Sequence, residues 1–216
     1  RPSSRPFPMR CLIPFAADQP KTRLESLLSL TDRQAFAAAM LADVLDAVDT
    51  AGVDPTVIST ASIDDDRVTS RAAVTVDDRE LTAAINARLT DGQPTLVVMA
   101  DLPLVQADDI GRLVDSEADI TIAPGVGGGT NALVVREPAF RVDYHGASYC
   151  DHRRAAADLG AAVETVDSRR LATDVDEPAD LAEVLIHGTG AAREWLVKNG
   201  FELDTDEGRV GVQQGE

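Results

Sequence analysis

Lys21 and Arg23 stand two residues apart in Pro20-Lys21-Thr22-Arg23-Leu24, just beyond an apolar run that ends at Phe15. Lysine is scarce in this chain: Lys198 is the only other one, against 18 arginines. A basic pair on a loop leaving a first β-strand suits phosphate, which α/β proteins hold in the crevice at the carboxyl ends of their strands. The plainer alternative is a solvated basic turn. Walker A needs glycines before Lys-Ser/Thr, and the dinucleotide fingerprint needs Gly-x-Gly-x-x-Gly. No glycine precedes Gly52, so this loop cannot wrap a phosphate in backbone N–H groups. That excludes a P-loop NTPase and disfavours a Rossmann dehydrogenase. Phosphate charge must be met by the Lys21 and Arg23 side chains.

Asp101 follows the hydrophobic run Thr95–Ala100, and Pro103 comes two residues later. A carboxylate at the end of a buried strand suits Mg²⁺, a hard cation that takes a few carboxylates plus substrate phosphates. Asp101 lies too far upstream to cap the helix expected from Asp108. Asp174 and Asp176 alternate along an extended segment, so their side chains point to opposite sides. One is expected to reach a metal and the other to cap the helix after Pro178. In Gly127-Gly128-Gly129-Thr130-Asn131 the glycines allow close backbone approach to a ligand, and Thr130 and Asn131 supply directional hydrogen bonds. A flexible inter-strand loop is the alternative. Gly146-Ala147-Ser148 is expected to open a helix, an anion-binding position through free N–H groups, with an ordinary Ser148 N-cap as the plainer alternative.

These groups need a scaffold, and the chain alternates strand and helix patterns from end to end. Met9 to Phe15 reads as a buried strand. Thr31-Asp32-Arg33-Gln34 has capping-box spacing, and Phe36, Met40, Val44 and Val48 form an apolar helical stripe that ends at Gly52. Strands follow at Thr56–Ser59 and Ala72–Val76, with Asp64-Asp65-Asp66 as a solvated loop between them, then a helix over Arg79–Leu89. Thr95–Ala100 is apolar on both faces, the signature of a central parallel strand. A helix over Asp108–Val114 and strands at Asp119–Ala123 and Ala132–Val135 come next. Ser148–Leu159 reads as helical, Ala162–Val166 as extended, and Ala179–His187 as helical. The tail adds a helix over Ala191–Lys198 and strands turning at Asp206-Glu207-Gly208. The fold class is therefore α/β, three layers around a mainly parallel sheet. One unit spans 9–187, and residues 188–216 continue it as a helix and β-hairpin that either extends the sheet or mediates a homodimer. Residues 1–8 are rich in Pro and Arg and stay outside the fold reading as a poorly structured segment. Met9-Arg10-Cys11 is the more natural start.

The net charge of −17, from 37 acidic and 20 basic residues, repels nucleic acid and anionic membrane. An acidic, lysine-poor surface suits a high-salt cytoplasm, where self-repulsion is screened. Two cysteines, Cys11 and Cys150, make no disulfide framework, and three histidines without nearby Cys partners make no zinc site. His145 and His152 flank a helix start, where polar contacts or a surface role are expected. No run reaches the length of a membrane span, and no signal peptide is visible, so a cytoplasmic location is expected.

In order, Ile13-Pro14, Pro20-Lys21-Thr22-Arg23-Leu24, Asp101-Leu102-Pro103-Leu104, Gly129-Thr130-Asn131-Ala132-Leu133, Gly146-Ala147-Ser148-Tyr149 with His152, and Asp174-Val175-Asp176-Glu177-Pro178-Ala179-Asp180-Leu181 resemble the 2-phospho-L-lactate guanylyltransferases of coenzyme F(420) biosynthesis. The tail blocks Leu185-Ile186-His187-Gly188 and Gly208-Arg209-Val210-Gly211 resemble archaeal members. The resemblance implies a GT-A-like nucleotidyltransferase fold. It also implies condensation of GTP with 2-phospho-L-lactate, or with phosphoenolpyruvate in some relatives, with release of diphosphate. By matching position, Asp101, Asp174 and Asp176 would hold Mg²⁺. Thr130, Asn131, Gly146 and Ser148 would bind the phospho-acid. Lys21 and Arg23 would face the nucleotide phosphates beside Pro14 and Asp101. Two positions depart from the pattern: Ala16 stands where members often carry lysine, and Leu81-Thr82 where many have Leu-Asn. A molybdopterin or sugar-phosphate nucleotidyltransferase is the competing enzyme reading, although such enzymes typically use a glycine-rich first loop. A noncatalytic GTP-binding regulator is the competing class.

Overall fold

The structure, a computed structural model, describes residues 9–205 and 210–215. Its centre is a seven-stranded sheet in the order β3-β2-β1-β4-β6-β5-β7. The strands are β1 (Arg10–Phe15), β2 (Pro55–Ser59), β3 (Ala73–Val76), β4 (Thr95–Val98), β5 (Ile120–Pro124), β6 (Thr130–Val135) and β7 (Val163–Thr165). β1 pairs in parallel with β2 and β4, β2 with β3, and β5 with β7. β6 is the exception, running antiparallel to both β4 and β5. β4 is thus parallel to one neighbour and antiparallel to the other, where the doubly apolar pattern suggested a wholly parallel setting. The pattern reports burial on both faces, which any strand under two helical layers acquires, whatever its partners' direction.

Alternation along the strands feeds two buried layers. Cys11, Ile13, Leu96 and Val98 pack on one face with α1 (Leu30–Thr50), α4 (Ala107–Val114) and α7 (Asp180–His187). Leu12, Val97, Leu133 and Val135 pack on the other with α3 (Leu81–Leu89) and α5 (Ser148–Asp158). The sheet changes direction between β1 and β4, because β2 and β3 build outward on one side and β4 begins the other. A crevice opens at such a switch point, outside the carboxyl ends of the strands. Because β6 runs the other way, its first residues, not its last, arrive at that same end.

Several local expectations shift. α1 begins at Leu30, with Ser29 accepting a hydrogen bond from the Asp32 N–H at 3.2 Å, so the cap lies two residues before Thr31. Asp65 is not simply solvated: it caps the one-turn helix α2 (Asp66–Thr69) and accepts from the Arg67 N–H. The one-turn helix α6 (Arg169–Ala172) was not expected at all, since four residues carry no helical periodicity. The tail forms α8 (Ala191–Lys198) and a separate two-stranded sheet of β8 (Phe201–Asp204) and β9 (Gly211–Gln214), rather than extending the central one. The turn expected at Asp206-Glu207-Gly208 lies outside the described residues. Among the described residues no helix is long and apolar enough to cross a membrane.

The tail is held to α1 by two different contacts. Trp195 lies between Phe36, with ring centroids 5.3 Å apart, and Phe201, at 6.4 Å, in a chain with few aromatics. The Asp43 carboxylate, projecting from α1, accepts from the N–H groups of Ala191 at 2.6 Å and Ala192 at 3.0 Å. It is a cap supplied from another helix, and it satisfies two of the α8 donors that lack an intrahelical acceptor. Asp43→Ala leaves both donors without their partner. It is expected to cost about 1–2 kcal/mol in urea unfolding, with Asp43→Asn recovering part of the loss through its one remaining acceptor oxygen.

Candidate active site

The loop after β1 contains no glycine, so side chains and backbone hold its shape. The Ala17 N–H donates to Thr60 Oγ1 at 3.0 Å, and Gln34 Nε2 reaches back to the carbonyls of Ala17 and Asp18. At its end Lys21 adopts a left-handed backbone, φ 52° and ψ 49°, the one non-glycine residue with positive φ among those described. For a side chain with a Cβ this conformation costs roughly 1–2 kcal/mol. Lys21 Nζ donates to Asp101 Oδ2 at 2.6 Å and to Asp176 Oδ1 at 2.8 Å, both charge-assisted bonds that offset the strain. Burial pulls the Lys21 ammonium towards deprotonation, but Asp101 and Asp176 outweigh it and hold its pKa above the ordinary lysine range. Arg23, by contrast, is exposed and makes a single 3.4 Å contact with Asp176, so its guanidinium remains available to a ligand.

Asp101 reaches the crevice from the carboxyl end of β4, and the Asp174–Asp176 segment docks alongside it through the Val175 N–H to the Asp101 carbonyl, 3.1 Å. The two flanking carboxylates then diverge, as the extended spacing requires. Asp176 turns to Lys21, while Asp174 accepts from Asn131 Nδ2 at 3.0 Å. Burial, and beyond it the charges of Asp101 and Asp176, push the Asp174 pKa up against the bond from Asn131. Neither aspartate caps α7, contrary to expectation. Asp180 folds back instead, its Oδ2 accepting from the N–H groups of Asp176 and Glu177.

Thr130 and Asn131 owe their directions to an irregularity in β6. Ala123 pairs with Ala132, but Pro124 pairs with Thr130, so Asn131 is an extra residue in the ladder. Regular alternation would place Thr130 on the face of Ala132 and Val134. The bulge reverses that phase, as bulges beside functional sites do when they re-aim a side chain. Asn131 turns towards α6 and Asp174, donating to the Leu171 carbonyl at 2.9 Å. Thr130 turns towards α5, where its hydroxyl meets His152 Nδ1 at 2.8 Å and Ser148 Oγ at 3.4 Å. Gly125 is required beside this bulge: a Cβ there would lie 2.7 Å from Asn131 Oδ1.

The residues therefore form two groups. Lys21, Arg23, Asp101 and Asp176, with Pro14, line a cavity of about 700 Å³ over the β1–β4 switch point. Thr130, Ser148 and His152 form a buried cluster outside that lining, and Gly146 is exposed at the turn into α5. Asn131, bonded to Asp174, ties the cluster to the cavity side. One feature escaped sequence reading and a second was read only in part. Arg79, beside the end of β3, lines the cavity together with Lys21's loop; its only signal was the charged run Asp77-Asp78-Arg79-Glu80. His152, expected to make polar contacts or to lie at the surface, makes polar contacts but is completely buried, between Phe140 and the edge-on ring of Tyr144.

Among the described residues no three of His, Cys, Asp and Glu converge as a ready-made cation cage. Asp101 nevertheless has one oxygen, Oδ1, that is buried without a hydrogen-bond partner, beside the oxygen that holds the Lys21 ammonium. A hard cation that completes its shell with phosphate oxygens fits such a donor set.

A family model for guanylyl transferase CofC-like proteins matches residues 9–214. The chain belongs to that family. It is 56% identical over 207 residues to the 2-phospho-L-lactate guanylyltransferase of Halomicrobium mukohataei, covering 95% of this chain and 100% of that one. It is also 56% identical over 211 residues to the enzyme of the same name from Haloarcula marismortui, covering 95% and 99%. A nucleotidyl transferase structure from Methanothermobacter superposes with a TM-score of 0.61 over 88% of this chain and 99% of its own, at 13% identity. That likeness shows the fold, and the sequence relatives carry the family.

His152 gives this family member a pH signature. Burial lowers its pKa to about 4, against about 6.5 in an unfolded chain, so the folded state holds it neutral. The unfolded chain binds the proton first as pH falls. The stability that depends on a neutral His152 is thus complete above about pH 6.5 and is lost as pH drops towards 4, by about 3 kcal/mol in total. The stability difference between wild type and His152→Gln, followed by urea unfolding, is expected to shrink across that window and to stay flat above it.

Proposed function

We propose that this chain is a 2-phospho-L-lactate guanylyltransferase of coenzyme F(420) biosynthesis. It joins GTP to 2-phospho-L-lactate as lactyl-2-diphospho-5′-guanosine and releases diphosphate. The observation that carries the reading is end-to-end identity of 56% with enzymes of that name, in a chain whose strand-end crevice holds Lys21 between two carboxylates. The same match disfavours a molybdopterin or sugar-phosphate nucleotidyltransferase and a noncatalytic regulator.

An ionised phosphate is already a nucleophile, so the reaction requires no Ser, Cys or His base. An oxygen of the phospholactate phosphate forms a bond to the α-phosphorus of GTP, and the bond from that phosphorus to the bridging β-phosphate oxygen breaks. The work left to the protein is alignment and neutralisation of two anions. In a chain of net charge −17, local cations must oppose the global field. Lys21, rigid on its strained backbone, would hold nucleotide phosphate with the exposed Arg23 beside it, while Arg79 stands on the cavity wall paired with Asp77 at 2.6 and 2.8 Å. Pro14 and the β1 loop form the floor beneath. Asp101, with Asp176 beside it, would hold Mg²⁺, which would neutralise phosphate charge and favour departure of diphosphate; Asp174, bonded to Asn131, would join them only by turning from that partner. Thr130 and Ser148, with the Gly146 turn and the α5 N-terminus, would receive the phospho-acid, and Asn131 ties that side to Asp174.

Diphosphate release across GTP, ATP and CTP, each with phospholactate, phosphoenolpyruvate and phosphoglycerate, tests the reading in Mg²⁺ at high and low salt. GTP with phospholactate is expected to give the highest turnover. Asp101→Asn is expected to lower turnover by at least about 100-fold with far-UV circular dichroism unchanged. No diphosphate from any pair, or wild-type turnover in Asp101→Asn, would contradict the assignment.

A further inference from the structure

The buried cluster behind the Gly146 turn has a hydrogen-bond polarity that can be read atom by atom. The backbone N–H of Asp143 lies 2.9 Å from His152 Nε2. A backbone amide can only donate, so Nε2 accepts and carries no hydrogen. A neutral imidazole then has its hydrogen on Nδ1. Burial favours the neutral ring. Nδ1 therefore donates to Thr130 Oγ1 across 2.8 Å.

The consequence is a count of hydroxyl hydrogens. Thr130 and Ser148 bring two between them, and their mutual contact at 3.4 Å uses one, whichever oxygen donates. Because His152 gives a hydrogen to this pair and takes none, one O–H is left over to donate outward. With the other tautomer, Nδ1 would accept from Thr130 and Ser148 would donate to Thr130, leaving no donor. A phosphorylated carboxylic acid is all acceptors, so a hydroxyl pair can hold it only through a surplus donor. The ring itself cannot turn freely: it is fully buried, with the Tyr144 ring edge-on at 5.1 Å and Phe140 at 6.0 Å.

We infer that His152 is a positioning residue for phospho-acid binding, its tautomer fixed by the Asp143 amide so that the Thr130–Ser148 pair presents a hydrogen-bond donor to the substrate. The inference rests on the reading that Thr130 and Ser148 receive the phospho-acid, and its test separates the two.

Steady-state kinetics with GTP and phospholactate varied independently give the first readout. His152→Leu keeps the surplus O–H but removes the bond that aims it, and is expected to raise KM for phospholactate by about 3- to 10-fold, the worth of a neutral hydrogen bond, with KM for GTP within about twofold. His152→Asn, whose amide can still donate to Thr130, is expected to recover most of that loss. A merely structural histidine would instead lower the active fraction and leave both KM values in place, and that result overturns the inference. The double variant Thr130→Val/Ser148→Ala, which leaves the pair no hydroxyl, decides the underlying reading. If it leaves KM for phospholactate unchanged, the assignment of this cluster to the acid fails. If it raises KM and His152→Leu does not, only the role of His152 fails. Nitrogen-15 NMR of the wild-type ring needs no variant to fold: protonated Nδ1 with bare Nε2 supports the inference, and the reverse tautomer overturns it.

Discussion

The crevice depends on one ammonium group held between two carboxylates. Asp101 and Asp176 lie far apart in sequence, and without a cation between them their charges would repel in a half-buried cleft. Lys21 joins them, and it does so from a backbone conformation that a non-glycine residue adopts only under constraint. The glycine-free loop is part of the same arrangement. A glycine-rich loop would reach its ligand with backbone amides, whereas this one is fixed by Thr60 and Gln34 and delivers a single long side chain. With Ala16 adjoining, positive charge at this edge rests on Lys21 and Arg23, since the later Arg79 is paired with Asp77.

A second constraint links the cavity to the cluster beyond its lining. Reversal of β6 carries Thr130 and Asn131 to the edge where Asp101 ends β4, and the Met99 N–H bonds the Asn131 carbonyl at 2.9 Å. The bulge then sends the two side chains to opposite layers, one to Asp174 and one to His152. The Asp174 segment and the His152 cluster are thus joined through adjacent residues of one strand. Gly125 permits this by lacking the Cβ that would collide with Asn131.

Much of this was legible in the sequence, for physical reasons that differ between residues. Long apolar periods, such as Phe36 to Val48, report burial directly, so the layers and their order could be read. Lys21 and Asp101 were visible because a charge at the end of an apolar strand has few structural reasons to be there. Direction was harder. The reversed β6 and its bulge leave no composition signal, since an antiparallel strand buried on both faces looks like a parallel one. Capping was misassigned where several Ser, Thr or Asp residues compete, as Ser29 does with Thr31, and neither Asp174 nor Asp176 caps α7, whose Asp180 bonds the preceding backbone instead. His152 was invisible as a buried relay because its partners, a backbone amide and a threonine, lie in other segments of the chain. The wall residue Arg79 read only as one more charge in an acidic run.

The most direct measurement is turnover of Lys21→Met, assayed as diphosphate release from GTP and phospholactate, with Tm recorded on the same sample. Methionine keeps much of the length and the apolar stem of lysine and removes the charge. If the ammonium organises the crevice, turnover falls by at least about 100-fold while the protein remains folded. Turnover within a few-fold of wild type would contradict a central role for Lys21.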